Sequence, residues 1–274
     1  MAGAGTGKFS DLAVRSVIAV AFAALGFGAI WAGGAWGLAF VMAAGGIMAW
    51  EWRRIAARDE VRVLAGFQAL AVAGAAFVAF GGRLAEAIFF LVAVAALGVL
   101  FDLARGRSPW WSLLGALYLG VALSFFVFLL GAPAHGLQAV VWLVLVVVAT
   151  DIGAYFSGRL IGGPKLWPRV SPNKTWAGAI GGVTLAALAA FLIGLGAGRP
   201  FGGGAEIAAV FVSAVAQAGD LGESAFKRRF GKKDSGRILP GHGGLLDRLD
   251  GLIAATVAVG ALSLVRPDQP IWAW

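Results

Sequence analysis

Asp247 and Asp250 are three residues apart, so on a helix they share one face. The segment ahead of them, DSGRILPGHGGLL (234–246), crowds Gly236, Gly241, Gly243 and Gly244 around Pro240 and His242. Before that stands ESAFKRRFGKK (223–233), which carries Ser224 and the cations Lys227, Arg228, Arg229, Lys232 and Lys233. Asp220 and Asp151 lie at the ends of two earlier apolar runs. Carboxylates at the edge of an apolar phase need cations beside them, and oxygen ligands of this kind suit a hard ion such as Mg²⁺. Glycine-rich backbone lets N–H groups approach phosphate closely. SPNKT (171–175) adds Ser171 and Lys174 in a loop leading into an apolar run, where a helix N-terminus favours anionic oxygens. His242 is open to three roles: general base, phosphate contact or loop residue. Acids for a metal, with cations and amides for phosphates, point to phosphoryl or nucleotidyl transfer, which needs positioning and charge neutralisation above all.

The elements that must position these groups are membrane helices. The chain has 274 residues, 60% hydrophobic and only 13% charged, where a soluble domain has about a quarter charged. Apolar runs at about 15–32, 35–50, 63–80, 85–103, 112–131, 137–155, 176–196, 204–221 and 246–265 are each near the length of a crossing. They predict an all-α polytopic membrane protein of nine spans, forming a single integral membrane domain over 1–274. Residues 1–111 supply N-terminal helices, and 112–274 the catalytic helices and loops. The first two runs are short enough for a re-entrant hairpin. Of the 22 Lys and Arg, all but Arg83, Arg199 and Arg266 fall on alternate loops of one side, which makes that side cytoplasmic, with the N-terminus inside and the C-terminus outside. Asp151, Asp220, Asp247 and Asp250 then share the cytoplasmic boundary, and Ser235 is expected to be open to water there. Glu51, Asp102, Glu86 and Glu206 read as ordinary span-end charges, and His135 as structural.

Trp31, Trp36, Trp50, Trp52, Trp110 and Trp111 fall near span ends, where interfacial anchoring accounts for them. GAIGG (178–182) has the spacing of close helix packing. GAGTGK near the N-terminus lacks the first glycine of a phosphate loop and has Phe9 where Ser or Thr is required. The absence of cysteine excludes disulfides, thiolate metal sites and cysteine nucleophiles. A transporter would put polar groups at mid-membrane depth, and spans three to five show little beyond Gln68 and Ser124.

The run SAFKRRFGKKDSGRILPGHGGLLDRLD (224–250) closely resembles the signature of the phosphatidate cytidylyltransferase family. QAGDLGES just before it, and DIGAYFSGRLIGG and SPNKTWAG upstream, resemble further family segments in the expected order. The resemblance covers about 145–251. Asn173 and Ala177 depart from it, since the family's upstream segment usually has a second lysine and a glutamate. The resemblance implies attack of the phosphatidic acid phosphate on the α-phosphorus of CTP, giving CDP-diacylglycerol and pyrophosphate. It implies Mg²⁺, with or without a K⁺ companion, between Asp220 and Asp247, supported by Asp151 and Asp250. Lys227, Arg228 and Lys233 would neutralise phosphates, and Ser171, Lys174 and Ser224 would hydrogen-bond nucleotide or lipid phosphate. His242, Gly243 and Arg248 complete the expected substrate contacts. A homodimer in the bacterial inner membrane is implied as well. A CTP-dependent polyprenol kinase is the nearest alternative. A CDP-alcohol phosphotransferase is disfavoured because DRLDG lacks that family's Asp-Gly-x-x-Ala-Arg pattern.

Overall fold

The computed structural model describes residues 20–21, 23–56, 61–132, 135–198, 203–236, 238, 243–266, 269–271 and 274. Nine helices and one small hairpin make up these residues: α1 (Ala23–Ala32), α2 (Gly34–Ala56), α3 (Val61–Phe80), α4 (Leu84–Ala104), α5 (Trp110–Leu130) and α6 (Gly136–Leu160), then β1 (Lys165–Trp167), β2 (Ser171–Thr175), α7 (Trp176–Gly196), α8 (Gly204–Arg229) and α9 (Leu246–Val265). Helices are the element such apolar runs can form in lipid, because each satisfies its own backbone N–H and C=O groups.

Seven of the helices, α3 to α9, are long and apolar enough to cross a membrane. Among the described residues, the first two of the nine expected spans are not helices of that kind. Of the expected run 15–32, residues 15–19 and 22 lie outside the described residues; α1, its ten-residue described helix, is about 15 Å long at 1.5 Å per residue, against a hydrocarbon core of about 30 Å. Gly33 and Gly34, both at positive φ, break α1 from α2, an angle that β-carbon-bearing residues resist. Helix α2 is long enough but runs past its apolar stretch to Ala56, because other helices bury its last turns. There Arg53 donates to Ser112 of α5 over 2.5 Å and pairs with Asp102 of α4, which also accepts from the Ser112 hydroxyl. Asp102 is therefore a buried partner and not a solvated span end.

The core is built from small residues that let helices approach closely. Helix α7 lies on α6 through Gly178, Gly181 and Gly182. A β-carbon at Gly182 would come within 2.8 Å of the Thr150 carbonyl oxygen, so the packing read from GAIGG is present. A second layer puts Met48, Leu123, Leu245 and Ile253 together between α2, α5 and α9. Trp52 is not an interfacial anchor: it stacks on Phe226 of α8 with centroids 4.0 Å apart and donates to the Trp111 carbonyl over 2.8 Å. Trp31, Trp36 and Trp110 are exposed, as anchors should be.

The C-terminal ends of α2, α4 and α8 and the hairpin after α6 meet at one end. Lys232 donates to the Arg54 carbonyl, Arg228 to the Val170 carbonyl, and Arg53 reaches Asp102. The C-terminal Trp274 sits beside Gly204, at the start of α8 and thus at the other end. SPNKT is a strand and not an open loop. It pairs antiparallel with β1, Lys165 opposite Thr175 and Trp167 opposite Ser171. The hairpin feeds directly into α7, whose N-cap Thr175 accepts from Gly178 N over 3.0 Å.

Candidate active site

Helix α8 continues eight residues past the end of its apolar run, to Arg229, and so carries Asp220, Glu223, Ser224, Lys227 and Arg228 along its last turns. Residues 220, 223, 224 and 227 fall on one face of the helix, towards the first turn of α9. Lys227, only 8% exposed, places its ammonium between two carboxylates, 2.6 Å from Asp247 Oδ1 and 3.0 Å from Glu223 Oε1. Among the described residues, Glu223 Oε1 is held by that ion pair alone, and its buried Oε2 has no hydrogen-bond partner. A buried charge is tolerated only when paired, so the three side chains stand or fall together.

Asp247 does more than hold Lys227. Its Oδ2 accepts from Ser235 N and from Gly244 N, each over 2.9 Å. One carboxylate thus ties both ends of the 236–243 segment to the start of α9. Gly243 is required twice here: its φ is +85°, and a β-carbon would lie 2.8 Å from Asp247 Oδ2. Its close approach is to this carboxylate. His242, Arg237, Pro240 and Gly241 lie outside the described residues.

The second anchor of the segment is Glu51, at 0% exposure on α2. Its Oε1 accepts from Leu245 N over 3.0 Å, and its Oε2 from Leu246 N over 2.8 Å and from the Ser235 hydroxyl over 3.2 Å. Carboxylate oxygens on the first amides of a helix satisfy donors that have no partner within the helix and complement its dipole. Ser235 is consequently buried at 4% exposure, contrary to the expectation of an open loop. Reading Glu51 as a span-end charge missed this role. The argument that singled out Asp220 applies equally to Glu51: an acid at the end of an apolar helix needs a partner. Glu51→Ala leaves two amides and a hydroxyl buried without an acceptor, at about 1–3 kcal/mol for each unmade bond. Thermal unfolding in detergent should show a clear drop in midpoint, with at least a tenfold loss in turnover. An unchanged midpoint would mean that α9 is capped by something else.

The remaining acids gather around this core. Asp220 pairs with Lys174 of β2, both partly exposed. Asp250 accepts at Oδ1 from Gly251 N over 2.7 Å, and its carbonyl receives the Tyr118 hydroxyl. Asp250 lies within electrostatic reach of Asp220, Lys227 and Lys174, and Asp151 of α6 within reach of Asp220 and Lys174. The structure therefore brings Asp151, Lys174, Asp220, Lys227, Asp247 and Asp250 together and adds Glu223. Ser224 is half-buried on α8 and Ser171 half-buried at the start of β2. Arg228 is exposed and donates to the carbonyls of Val170 (3.4 Å) and Lys232 (3.2 Å), which ties the hairpin to the turn after α8. Lys233 and Arg248 are exposed at the rim. Among the described residues, no three His, Asp or Glu side chains converge closely enough to form a ready metal cage.

Comparison with known proteins decides what this arrangement belongs to. The cytidylyltransferase family matches residues 13–265. A phosphatidate cytidylyltransferase of Brucella suis is 41% identical over 95% of this chain and 97% of its own length. The Brucella abortus protein of that name is 42% identical over 94% of this chain and 96% of its own length. This chain belongs to the cytidylyltransferase family. The Helicobacter pylori phosphatidate cytidylyltransferase, 40% identical, aligns with 67% of the chain. The near full-length matches extend the likeness to α1–α5, which the sequence motifs left out. Those helices include α2, whose Glu51 bonds the start of α9, whose Trp52 stacks on Phe226 of α8 and whose Arg53 reaches Ser112 of α5.

Proposed function

We propose that this chain transfers CMP from CTP to phosphatidic acid, forming CDP-diacylglycerol and pyrophosphate at the cytoplasmic face of a bacterial inner membrane. The observation that carries the reading is the fixed Glu223–Lys227–Asp247 group beside the Asp220–Lys174 pair, at one end of an apolar bundle. In the reaction a phosphate oxygen of the lipid bonds to the α-phosphorus of CTP. The bond from that phosphorus to the oxygen bridging the β-phosphorus breaks, and the electron pair leaves with pyrophosphate. Lys174 and Lys227 are fixed cations for the charge that builds on those oxygens, and fixed charge needs little reorganisation during the step. Ser171 and Ser224 flank them as hydrogen-bond donors, with His242 and Gly243 from the segment that Asp247 and Glu51 hold. Arg228, Lys233 and Arg248 form a cationic rim that draws in the triphosphate.

A divalent cation fits these residues. The donors are all carboxylate oxygens, as Mg²⁺ prefers, and Glu223 Oε2 is a buried oxygen with no partner among the described residues. Mg²⁺ commonly takes one or two carboxylates and completes its shell with water and substrate phosphates, so a three-acid cage is not needed. We assign Asp220 and Asp247 as its ligands, with Asp151 and Asp250 in support and K⁺ as an optional second ion. When bound, Mg²⁺ supplies charge neutralisation to the phosphates.

Orientation rests on the cation count: in the sequence, the segments assigned to the side that carries the site hold most of the Lys and Arg. Because Ser235 is buried, the exposed Asp234 is the position to test. In a chain without native cysteine, Asp234→Cys should react with an impermeant thiol reagent only after the cells are opened. Labelling of intact cells would reverse the topology. A homodimer is part of the proposal, and α7, the least enclosed of the seven spans, offers an apolar face for a second copy. The activity itself is tested by pyrophosphate release from CTP, which should require phosphatidic acid.

A further inference from the structure

Beneath the acid cluster lies a cavity of about 350 Å³ between α1, α2, α5, α6 and α9. Among the described residues lining it, Thr256 is the one with a polar side chain, and its hydroxyl is already spent on the Leu252 carbonyl at 2.7 Å. A described lining that offers no free polar group suits a hydrocarbon and not a nucleotide. Its place in the bundle narrows the occupant further.

The upper end reaches the level of the site at Leu249 and lies one helical turn below it on three helices at once. Ile253 is three residues beyond Asp250, Ala122 is four beyond Tyr118, and Met48 is three before Glu51, and all three line the cavity. The lower end is marked by Phe40, eleven residues before Glu51 on α2. At 1.5 Å per residue that is roughly 16 Å, close to half of a hydrocarbon core about 30 Å thick. The cavity therefore spans one leaflet, the one adjoining the site. Phe27 of α1 and Leu145 of α6 line it and are themselves exposed, so it opens sideways between these helices to the surrounding lipid.

We infer that this groove holds an acyl chain of the phospholipid substrate while its phosphate sits at the acid cluster, and that the depth of the groove sets a preferred chain length. This rests on the reading that the lipid phosphate reacts beside Asp220 and Asp247. The chain enters from the leaflet between α1 and α6, and the headgroup stays at membrane level throughout.

The test uses phosphatidic acid bearing a diazirine near the methyl end of one long acyl chain, with the full-length protein in lipid nanodiscs. Irradiation and peptide mapping should find the label on α2 and α5 near Phe40 and Phe126. Val144→Trp, at a half-buried position on the groove wall, should lower that labelling at least tenfold. It should leave labelling of the lipid-facing α4 near Phe89 unchanged, and Leu145→Trp serves if the first variant folds poorly. Label spread evenly over α4, α7 and the groove, or groove labelling indifferent to both substitutions, would overturn the inference. In turnover, Val144→Trp should raise KM for dioleoyl phosphatidic acid about tenfold over that for the dioctanoyl form, with KM for CTP unchanged. An equal effect on both lipids would also overturn it. The labelling needs no catalysis, so wild-type protein that fails to release pyrophosphate would count against the proposed reaction and leave the groove to be judged by the label.

Discussion

Asp220→Asn and Asp247→Asn should each lower kcat at least about a hundredfold, and for different reasons. A divalent ion stabilises a phosphoryl transition state by several kcal/mol, and losing about 3 kcal/mol of that is roughly a hundredfold at 1.36 kcal/mol per tenfold. Asp220 pairs with Lys174 where both are partly exposed, so its substitution should lower the rate while membrane insertion and melting stay normal. Asp247 is also the tie for Ser235 N and Gly244 N and the partner of Lys227. An asparagine offers one acceptor oxygen where these donors converge, and it removes the charge that balances Lys227. Asp247→Asn should therefore lower both rate and melting midpoint. The double variant should turn over little more slowly than Asp247→Asn alone, because both changes disable one site. Independent span-end charges would instead give small effects that add, and kinetics of the three variants separate the two cases.

Lys227→Met should be strongly destabilising. It leaves Glu223 and Asp247 buried near each other with no cation between them. Removing one member of a buried ion pair costs about 3–5 kcal/mol, enough to lower the melting midpoint of the solubilised protein markedly. Adding Glu223→Gln to Lys227→Met should return much of that stability, because one of the two unpaired charges is gone. It should return no activity, since the fixed cation is still missing. Recovery of both together would make Lys227 a purely structural residue, and no loss in the single variant would remove it from the core of the site.

The parts of this site that are close in sequence were legible, and the parts joined by long-range packing were not. Asp220, Ser224 and Lys227 follow one another at helical spacing, and Asp247 and Asp250 do the same, so their shared faces could be read directly. The apolar runs marked the seven crossing helices for the same reason: length and hydropathy are local properties. Glu51 bonds to amides 194 and 195 residues away, and nothing near it in the chain announces a distant helix N-terminus. Trp52 looked like an interface anchor because its neighbours Arg53 and Arg54 mark a span end, yet α4, α5 and α8 enclose that end. The hairpin was missed because three- and five-residue strands are too short to show alternation, and Pro172 argues against a strand. Ser235 was expected in water because its neighbours are polar, but Glu51 and Asp247 draw its hydroxyl and its amide inward.

The central claim is CMP transfer from CTP to a lipid phosphate, and following the two ends of the nucleotide tests it most directly. Purified protein is given phosphatidic acid, Mg²⁺ and CTP labelled either at the α- or at the γ-phosphate, and the lipid and aqueous products are separated. The account predicts α-label in the lipid and γ-label in pyrophosphate, in equal amounts and only when phosphatidic acid is present. Appearance of γ-label in the lipid, with CDP left in water, would contradict it and make the chain a CTP-dependent lipid kinase.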